Sequence, residues 1–171
     1  GACMGDDMGL GKSRQTVVAS RMAAGSGRVL IVCPASLRLN WEREIKMVYP
    51  DARVGMIGGD RISTLAGCDW VIGNYERMGG LVRESELEFA VMAVDEAHYL
   101  KEYKSGRTRN VFLLAARIER CFVVTGTPLL NREIEMHTLL RITGHRLGSL
   151  TLAEFRKSYA GSPEKRAALA A

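Results

Sequence analysis

Hydrophobic positions along the chain form five short, nearly continuous runs, and longer stretches with helical periodicity separate them. The runs are rich in Val and Ile, which is typical of strands that are buried on both faces of a sheet. They occupy residues 28–33, 54–57, 69–73, 89–95 and 120–125. Amphipathic stretches that indicate helices occupy residues 12–24, 36–48, 75–87, 105–117 and 133–143. This alternation predicts an α/β fold with a mostly parallel central sheet and helices on both faces.

Local signals refine the ends of these elements. Ser36 precedes an apolar-periodic stretch and is the expected N-cap of the second helix. Gly25 and Gly144 are expected to end the first and the last helix. Residues 2–4 stand directly before the first glycine-rich segment, so they are expected to supply a short first strand.

Composition excludes a disordered chain and a collagen-like chain. The 171 residues are 47% hydrophobic and 25% charged, with a formal net charge of +5, as expected of a globular chain with one substantial core. Residues 1–160 are therefore assigned to one domain and residues 161–171 to a loosely ordered tail. No apolar run approaches the roughly 20 residues that a membrane span requires, and no secretory signal is evident. A cytoplasmic or nuclear location is expected.

The cysteines and tryptophans are expected to be structural. The four cysteines are Cys3, Cys33, Cys68 and Cys121. They form no CxxC pair, which argues against a structural zinc site, and those at positions 33 and 121 border apolar runs and are interpreted as buried thiols. Trp41 and Trp70 occupy apolar positions of a predicted helix and strand, so they are assigned to the core rather than to base stacking.

A glycine-rich segment precedes the first predicted helix and reads DDMGLGKS over residues 6–13. Glycines let a backbone wrap a phosphate chain with its N–H groups pointing inward, and the following helix adds a positive N-terminus. Lys12 would then neutralise the β- and γ-phosphates of a nucleotide, and the Ser13 hydroxyl would hold Mg²⁺. Asp6 replaces the first glycine of the GxxxxGK[ST] pattern, so a simple glycine-rich turn remains an alternative for this segment alone.

An acidic pair follows the fourth apolar run. Asp95 and Glu96 open the sequence DEAH at the end of a predicted buried strand, where a carboxylate is costly unless it has a partner. Asp95 is expected to reach Mg²⁺, and Glu96 to orient or deprotonate an attacking water. A helix-capping acid pair is the alternative, but it does not explain why the pair follows a phosphate-loop-like segment. The two signals together predict nucleotide hydrolysis.

A third segment, TGTP, ends the last apolar run at residues 125–128. Alone it is an ordinary turn with Gly and Pro. Beside the other two segments, its hydroxyl groups are expected to hydrogen-bond the catalytic carboxylates and to sense the nucleotide.

Taken in order, these segments resemble the first RecA-like lobe of superfamily 2 helicase-like ATPases, specifically Swi/Snf-type DNA translocases. The matching segments are DDMGLGKS at residues 6–13, LIVCPASLRLNWEREI at 30–45, GNYE at 73–76, DEAH at 95–98 and TGTPLLN at 125–131. Asp6 in place of a glycine is the usual form in that family. The motifs look most like those of the branch that contains fork-remodelling and strand-annealing motors. The resemblance implies a three-layer RecA-like P-loop fold.

The resemblance also implies a function, which is DNA-stimulated hydrolysis of Mg·ATP coupled to translocation on duplex DNA. Residues expected to bind the nucleotide are Met8, Gly9, Leu10, Gly11, Lys12 and Ser13. Catalytic roles fall to Lys12, Asp95 and Glu96, and metal binding to Ser13 and Asp95. Residues expected to contact DNA are Pro34, Ala35, Ser36, Asn74 and Tyr75. Residues expected to couple hydrolysis to DNA contact are His98, Thr125 and Thr127.

The resemblance implies a second RecA-like lobe as well, because that lobe carries the arginine that stabilises transition-state charge. Residues 1–171 alone are therefore expected to hydrolyse ATP poorly. Two alternatives stay open: a nucleotide- or DNA-binding remnant or split subunit without turnover, and the motor lobe of a restriction system or an RNA helicase. A small-molecule kinase is disfavoured, since Glu96 beside Asp95 suits the activation of water.

Overall fold

The strands form one parallel sheet. The computed structural model describes residues 1–4, 11–58, 62–84, 86–100, 103, 105–126 and 133–159. Its strands are β1 (Ala2–Met4), β2 (Val29–Cys33), β3 (Val54–Met56), β4 (Trp70–Asn74), β5 (Val91–Asp95) and β6 (Arg120–Val124). They pair in the order β1-β6-β5-β2-β4-β3, and every pairing in this part of the chain is parallel. The predicted α/β fold and its parallel sheet are confirmed.

Six helices connect or follow the described strands. They are α1 (Lys12–Ala24), α2 (Arg38–Val48), α3 (Met78–Glu84), α4 (Gly106–Ala115), α5 (Glu133–Ile142) and α6 (Leu152–Tyr159). Short 3₁₀ turns occupy Ala35–Leu37, Ile62–Gly67, Tyr75–Arg77, Ala97–Leu100 and Arg146–Ser149.

The second and third helices begin later than the sequence predicted. The Leu37 amide donates to the Pro34 carbonyl at 2.9 Å and closes a 3₁₀ turn that already contains Ser36. Helix α2 therefore has Leu37 as its N-cap, and the prediction that Ser36 caps it is wrong. The predicted helix over residues 75–87 likewise opens with a 3₁₀ turn and ends at Glu84.

Glycines end two helices at the predicted positions, but the second of these helices is not the last one. Gly25 ends α1 with a φ of 58°, and its N–H donates to the Arg21 carbonyl at 3.0 Å. Gly144, with a φ of 71°, follows α5, but α6 comes after it and was missed. A capping box marks its start, because the Thr151 amide donates to Glu154 Oε2 at 2.8 Å and the Glu154 amide donates to Thr151 Oγ1 at 3.2 Å.

Two apolar layers lie on opposite faces of the sheet. Helices α1 and α2 cover one face, where Trp41 and Trp70 are both fully buried, as predicted. Helices α3, α4 and α5 cover the other face. The central strands β2 and β5 are buried at every position, so their successive side chains pack alternately into the two apolar layers. Burial of each large apolar side chain contributes about 1.5–3 kcal/mol.

The two cysteines that the sequence predicts to be buried thiols, Cys33 and Cys121, are buried in the structure. All four cysteines are free. Burial raises the pKa of Cys33 to about 12 and that of Cys121 to about 11, so both stay protonated at neutral pH.

Among the helices that the structure describes, none is long and apolar enough to cross a bilayer.

Candidate nucleotide site

The candidate residues gather along one edge of the sheet. Because all strands are parallel, their carboxyl ends lie at the same edge, and this is where ligands bind in open α/β sheets. Cys33 is in register with Asn74, and Asp95 with Val124. The segments predicted to bind nucleotide, metal and DNA therefore follow neighbouring strands.

The start of α1 carries the described part of the segment that the sequence predicts to bind phosphate. Gly11 precedes the helix with a φ of 73°, a conformation that favours glycine, and its carbonyl accepts from the Gln15 amide at 3.1 Å. Lys12 and Ser13 lie in the first turn and are both half-buried. The predicted binding residues Met8, Gly9 and Leu10 lie outside the described residues.

Asp95 is a buried carboxylate at the end of β5, with 9% of its surface exposed. Its Oδ2 accepts a hydrogen bond from the Trp41 indole N–H at 2.9 Å, and its backbone carbonyl accepts from the Tyr75 hydroxyl. Burial raises the pKa of the Asp95 carboxyl above its usual value, while the Trp41 hydrogen bond and the Lys12 ammonium partly offset that rise. The Lys12 ammonium and the Asp95 carboxylate are therefore close enough to interact electrostatically.

Glu96 has an unusual backbone conformation. Its φ of 52° is the only positive φ at a non-glycine position among the described residues. The Glu96 amide donates to the Val124 carbonyl at 2.9 Å, which fixes this conformation against β6. Such conformations persist where the surroundings impose them, and they cluster at functional sites.

His98 lies against the Glu96 side chain. The His98 Nδ1 is 3.0 Å from Glu96 Oε2, although the two groups are not aligned as a hydrogen bond. A protonated His98 would form an ion pair there. Thr125, which follows β6, is 1% exposed, whereas Thr127 lies outside the described residues. In the structure, His98 lies next to Glu96. The coupling role of Thr125 and Thr127 remains a prediction.

The residues predicted to contact DNA differ in exposure. Ala35 and Ser36 are exposed and Pro34 is half-buried, all at the end of β2. Asn74 is half-buried, and its amide donates to Glu76 Oε2 at 2.6 Å. Tyr75 is only 1% exposed, and its hydroxyl is directed at the Asp95 carbonyl. The Tyr75 side chain is therefore inside the protein, and a DNA contact by this side chain is not available in this structure.

Two arginines that the sequence analysis did not single out converge beside these segments. Arg38 donates to the carbonyls of Ala35 and Ile57, both at 3.3 Å. A Cβ placed on Gly58 would lie 3.4 Å from Arg77 Nε and 3.9 Å from Arg38 Nη1, so both guanidinium groups border this glycine. Neither arginine has a carboxylate within 4.0 Å among the described residues. Arg38 and Arg77 therefore form a positively charged patch between the ends of β2, β3 and β4.

The donor set at the end of β5 fits Mg²⁺ bound together with a nucleotide. No group of three or more His, Cys, Asp or Glu side chains gathers in the part of the chain that the structure describes. Asp95 has one carboxylate oxygen that the Trp41 bond leaves available, and Ser13 offers a hydroxyl. Mg²⁺ prefers oxygen ligands and usually takes one or two from protein, with phosphates and waters completing its shell.

Comparison with known proteins decides the family. A sequence profile described as the SNF2-related domain matches residues 1–165. The chain belongs to the SNF2-related family. This assignment confirms the Swi/Snf-type resemblance of its motifs, and with it membership of a family of helicase-like ATPases.

Relatives of this SNF2-related chain are much longer proteins. It is 29% identical over 142 residues to the bovine SWI/SNF-related matrix-associated actin-dependent regulator of chromatin subfamily A-like protein 1, covering 79% of this chain and 15% of that protein. It is 30% identical over 149 residues to mouse DNA annealing helicase and endonuclease ZRANB3, covering 80% of this chain and 14% of that protein. The chain thus spans about a seventh of the length of these relatives.

A solved structure shares the SNF2-related fold. The SWI2/SNF2 ATPase core of Sulfolobus solfataricus in complex with dsDNA superposes with a TM-score of 0.81 and 26% identity. The match covers 98% of this chain and 37% of that one. The three-layer RecA-like architecture that the resemblance implied is therefore confirmed.

Asp95→Asn is expected to stabilise the nucleotide-free protein, raising its Tm by about 2–4 °C at neutral pH, the shift that about 1 kcal/mol produces in a domain of this size. Burial raises the pKa of Asp95, so ionisation of the wild-type side chain lowers the free energy of unfolding. This loss of stability grows as the pH rises from the ordinary carboxyl pKa to the raised pKa of the folded protein. An amide oxygen still accepts the Trp41 N–H and carries no such cost.

Thermal denaturation at two pH values tests this. The gain in Tm should be larger at about pH 7.5 than at about pH 4.5. The exposed Asp51→Asn is the matched control and should change Tm little. A lower Tm for Asp95→Asn would show that Lys12 and Trp41 more than offset the cost of burying the charge.

Proposed function

We propose that this chain is the first RecA-like lobe of a DNA-dependent ATPase that couples Mg·ATP hydrolysis to movement on duplex DNA. The observation that carries the proposal is the buried Asp95, followed by Glu96 in its constrained conformation, at the same sheet edge as the start of α1. Residues 1–160 form this lobe, and residues 161–171 are its tail. A nuclear or nucleoid location follows from DNA as the partner.

The site residues divide the chemistry among them. Lys12 would neutralise the β- and γ-phosphates, and Gly11 would let the backbone pass close to them. Ser13 and Asp95 would hold Mg²⁺, which supplies polarisation of the γ-phosphoryl group when it is bound. Glu96 would orient the attacking water and accept its proton. His98, beside Glu96, would couple this step to the DNA side of the lobe together with Thr125 and Thr127.

DNA binding is supported by charge and exposure at the same edge. Ala35 and Ser36 are exposed. The guanidinium groups of Arg38 and Arg77 border Gly58 nearby, and neither has a carboxylate partner among the described residues. Guanidinium groups suit phosphate oxygens, and backbone contacts of this kind carry little sequence information. The relative that is named as a DNA annealing helicase and the structure solved with dsDNA favour a duplex as the partner.

ATP hydrolysis by the full-length protein tests the proposal. Turnover is measured alone and with duplex DNA, single-stranded DNA or RNA of equal length. Duplex DNA should stimulate several-fold more than RNA. Stronger stimulation by RNA would favour an RNA helicase, and nucleotide binding with no turnover under any condition would favour a binding module.

Lys12→Ala is expected to weaken Mg·ATP binding by about 10- to 100-fold, because a charge-assisted contact to the phosphates is lost. Equilibrium titration with a labelled nucleotide measures the effect. Arg43→Ala removes one positive charge from an exposed position of α2 and serves as the matched control. Equal affinities of the Lys12 variant and the wild type would remove the phosphate-loop assignment.

Arg77→Ala is expected to weaken duplex DNA binding similarly for all sequences and to lower the slope of log K against log salt by about 1. Arg77 is exposed and donates no hydrogen bond within the described residues, so its removal should leave the fold intact. Arg156→Ala, on the exposed face of α6, is the control. An unchanged salt slope would show that the Arg38–Arg77 patch does not bind DNA phosphate.

A further inference from the structure

The indole of Trp41 makes a specific polar contact in the core. Its Nε1–H donates to Asp95 Oδ2 at 2.9 Å, across 54 positions of sequence, and both partners are buried. An indole N–H is a donor only, so it cannot itself ligate a cation or accept a proton. The bond therefore orients the carboxylate without neutralising it.

Trp41 is held firmly enough to serve as an anchor. It is 0% exposed in α2 and packs in the apolar layer that also contains Ile45, Ile72 and Ala93. A large ring in a close-packed core cannot rotate without displacing its neighbours. The position of its N–H is thus set by the packing of α2 on the sheet.

The backbone of Asp95 is fixed independently of Trp41. The Tyr75 hydroxyl donates to the Asp95 carbonyl, and the next amide, that of Glu96, donates to Val124 on β6. Strand pairing fixes Asp95 opposite Val124 as well. The carboxylate itself can still rotate about its side-chain bonds, and the Trp41 bond restrains that rotation together with the neighbouring Glu96 amide.

We propose that Trp41 is a positioning residue that holds Asp95 Oδ2, so that Oδ1 is presented to Mg²⁺ at the nucleotide site. This inference rests on the proposed function, since it takes Asp95 as a metal ligand. Partners that orient a metal-ligating side chain change metal affinity or activity by about 10- to 100-fold when they are removed. Trp41 therefore belongs to the ATP site, although it touches neither nucleotide nor metal.

Trp70 provides the matched control. It is 1% exposed in the same apolar layer, and it stacks on Tyr49 with ring centroids 6.3 Å apart. No hydrogen bond from its indole N–H to a carboxylate occurs among the described residues. Trp41→Phe and Trp70→Phe thus remove similar apolar volume from the same layer, but only the first removes a hydrogen bond to Asp95.

The experiment measures ADP affinity of the full-length protein with and without Mg²⁺, for the wild type and both variants. Wild type and Trp70→Phe should show the same Mg²⁺-dependent gain in affinity. In Trp41→Phe, the Mg²⁺-dependent gain in ADP affinity should be about tenfold smaller, while the affinity without Mg²⁺ stays unchanged. Replacing the Trp41 indole with the isosteric benzothiophene, which lacks only the N–H, should reproduce the loss even if the Phe variant folds poorly.

The outcomes separate the two proposals. An equal Mg²⁺-dependent gain in the wild type and the benzothiophene variant would overturn the role of Trp41 and leave the proposed function intact. A loss of metal-free affinity as large as the loss in Mg²⁺ would also overturn it, because general damage to the site explains that result. A wild type without any Mg²⁺-dependent gain would overturn the assignment of Asp95 as a metal ligand, and the inference with it.

Discussion

Replacing Glu96 with glutamine in the full-length protein is expected to lower DNA-stimulated ATP turnover by about 10²- to 10⁴-fold. The amide cannot accept the proton of the attacking water, while its size and the φ of 52° at this position are retained. Affinity for Mg·ATP should stay within about twofold, because Glu96 is proposed to act on water rather than on the phosphates. Steady-state turnover and nucleotide titration on the same preparation measure the two effects.

The control for this variant lies at the opposite edge of the sheet. Glu119 precedes β6, and its side chain is 82% exposed, so Glu119→Gln removes the same charge far from the site and should leave turnover unchanged. If Glu96→Gln retained wild-type turnover, water activation would have to come from another group. His98 would then be the next candidate, because its Nδ1 lies 3.0 Å from Glu96 Oε2.

A second RecA-like lobe is expected to raise turnover by about 10³- to 10⁵-fold over that of residues 1–171 alone, the range that an arginine supplied to the γ-phosphate contributes. The described residues supply the Lys12, Asp95 and Glu96 side chains, and the relatives are several times longer than this chain. Residues 1–171 should therefore bind Mg·ATP but turn it over very slowly. Single-turnover hydrolysis by this segment and by the full-length protein measures the ratio.

Two controls make the comparison interpretable. Residues 1–171 must show a cooperative thermal transition and measurable nucleotide affinity, which establishes that they are folded. Any residual turnover must disappear in Glu96→Gln. Robust Glu96-dependent hydrolysis by residues 1–171, at a rate near that of the full-length protein, would contradict the need for a second lobe.

Much of the fold is predictable because burial on both faces leaves a local signal. The runs at residues 28–33 and 89–95 are nearly continuous in apolar residues because helices cover both faces of the sheet there, and they contain the central strands β2 and β5. Parallel pairing then places the segments that follow each strand at one edge. Asp95 and the 3₁₀ turn after β2 therefore lie at the same edge of the sheet.

The tertiary contacts within the site are not predictable in this way. Nothing local distinguishes Trp41, which donates to Asp95, from Trp70, which makes no such bond, since both occupy apolar positions of one layer. Tyr75 was assigned to the DNA side by its motif, yet its side chain is buried beneath Asp95. Arg38, Gly58 and Arg77 lie in segments that follow three different strands, so their proximity leaves no pattern along the chain.

Displacement of a third strand from a triplex by the full-length protein reports movement along duplex DNA driven by ATP, so it is the first measurement to make. Displacement is expected to require hydrolysable ATP and Mg²⁺ and to disappear in Glu96→Gln, while Glu119→Gln should behave as the wild type. ATP hydrolysis at wild-type rates without displacement would contradict coupling to movement, and Glu96-independent displacement would contradict the site itself.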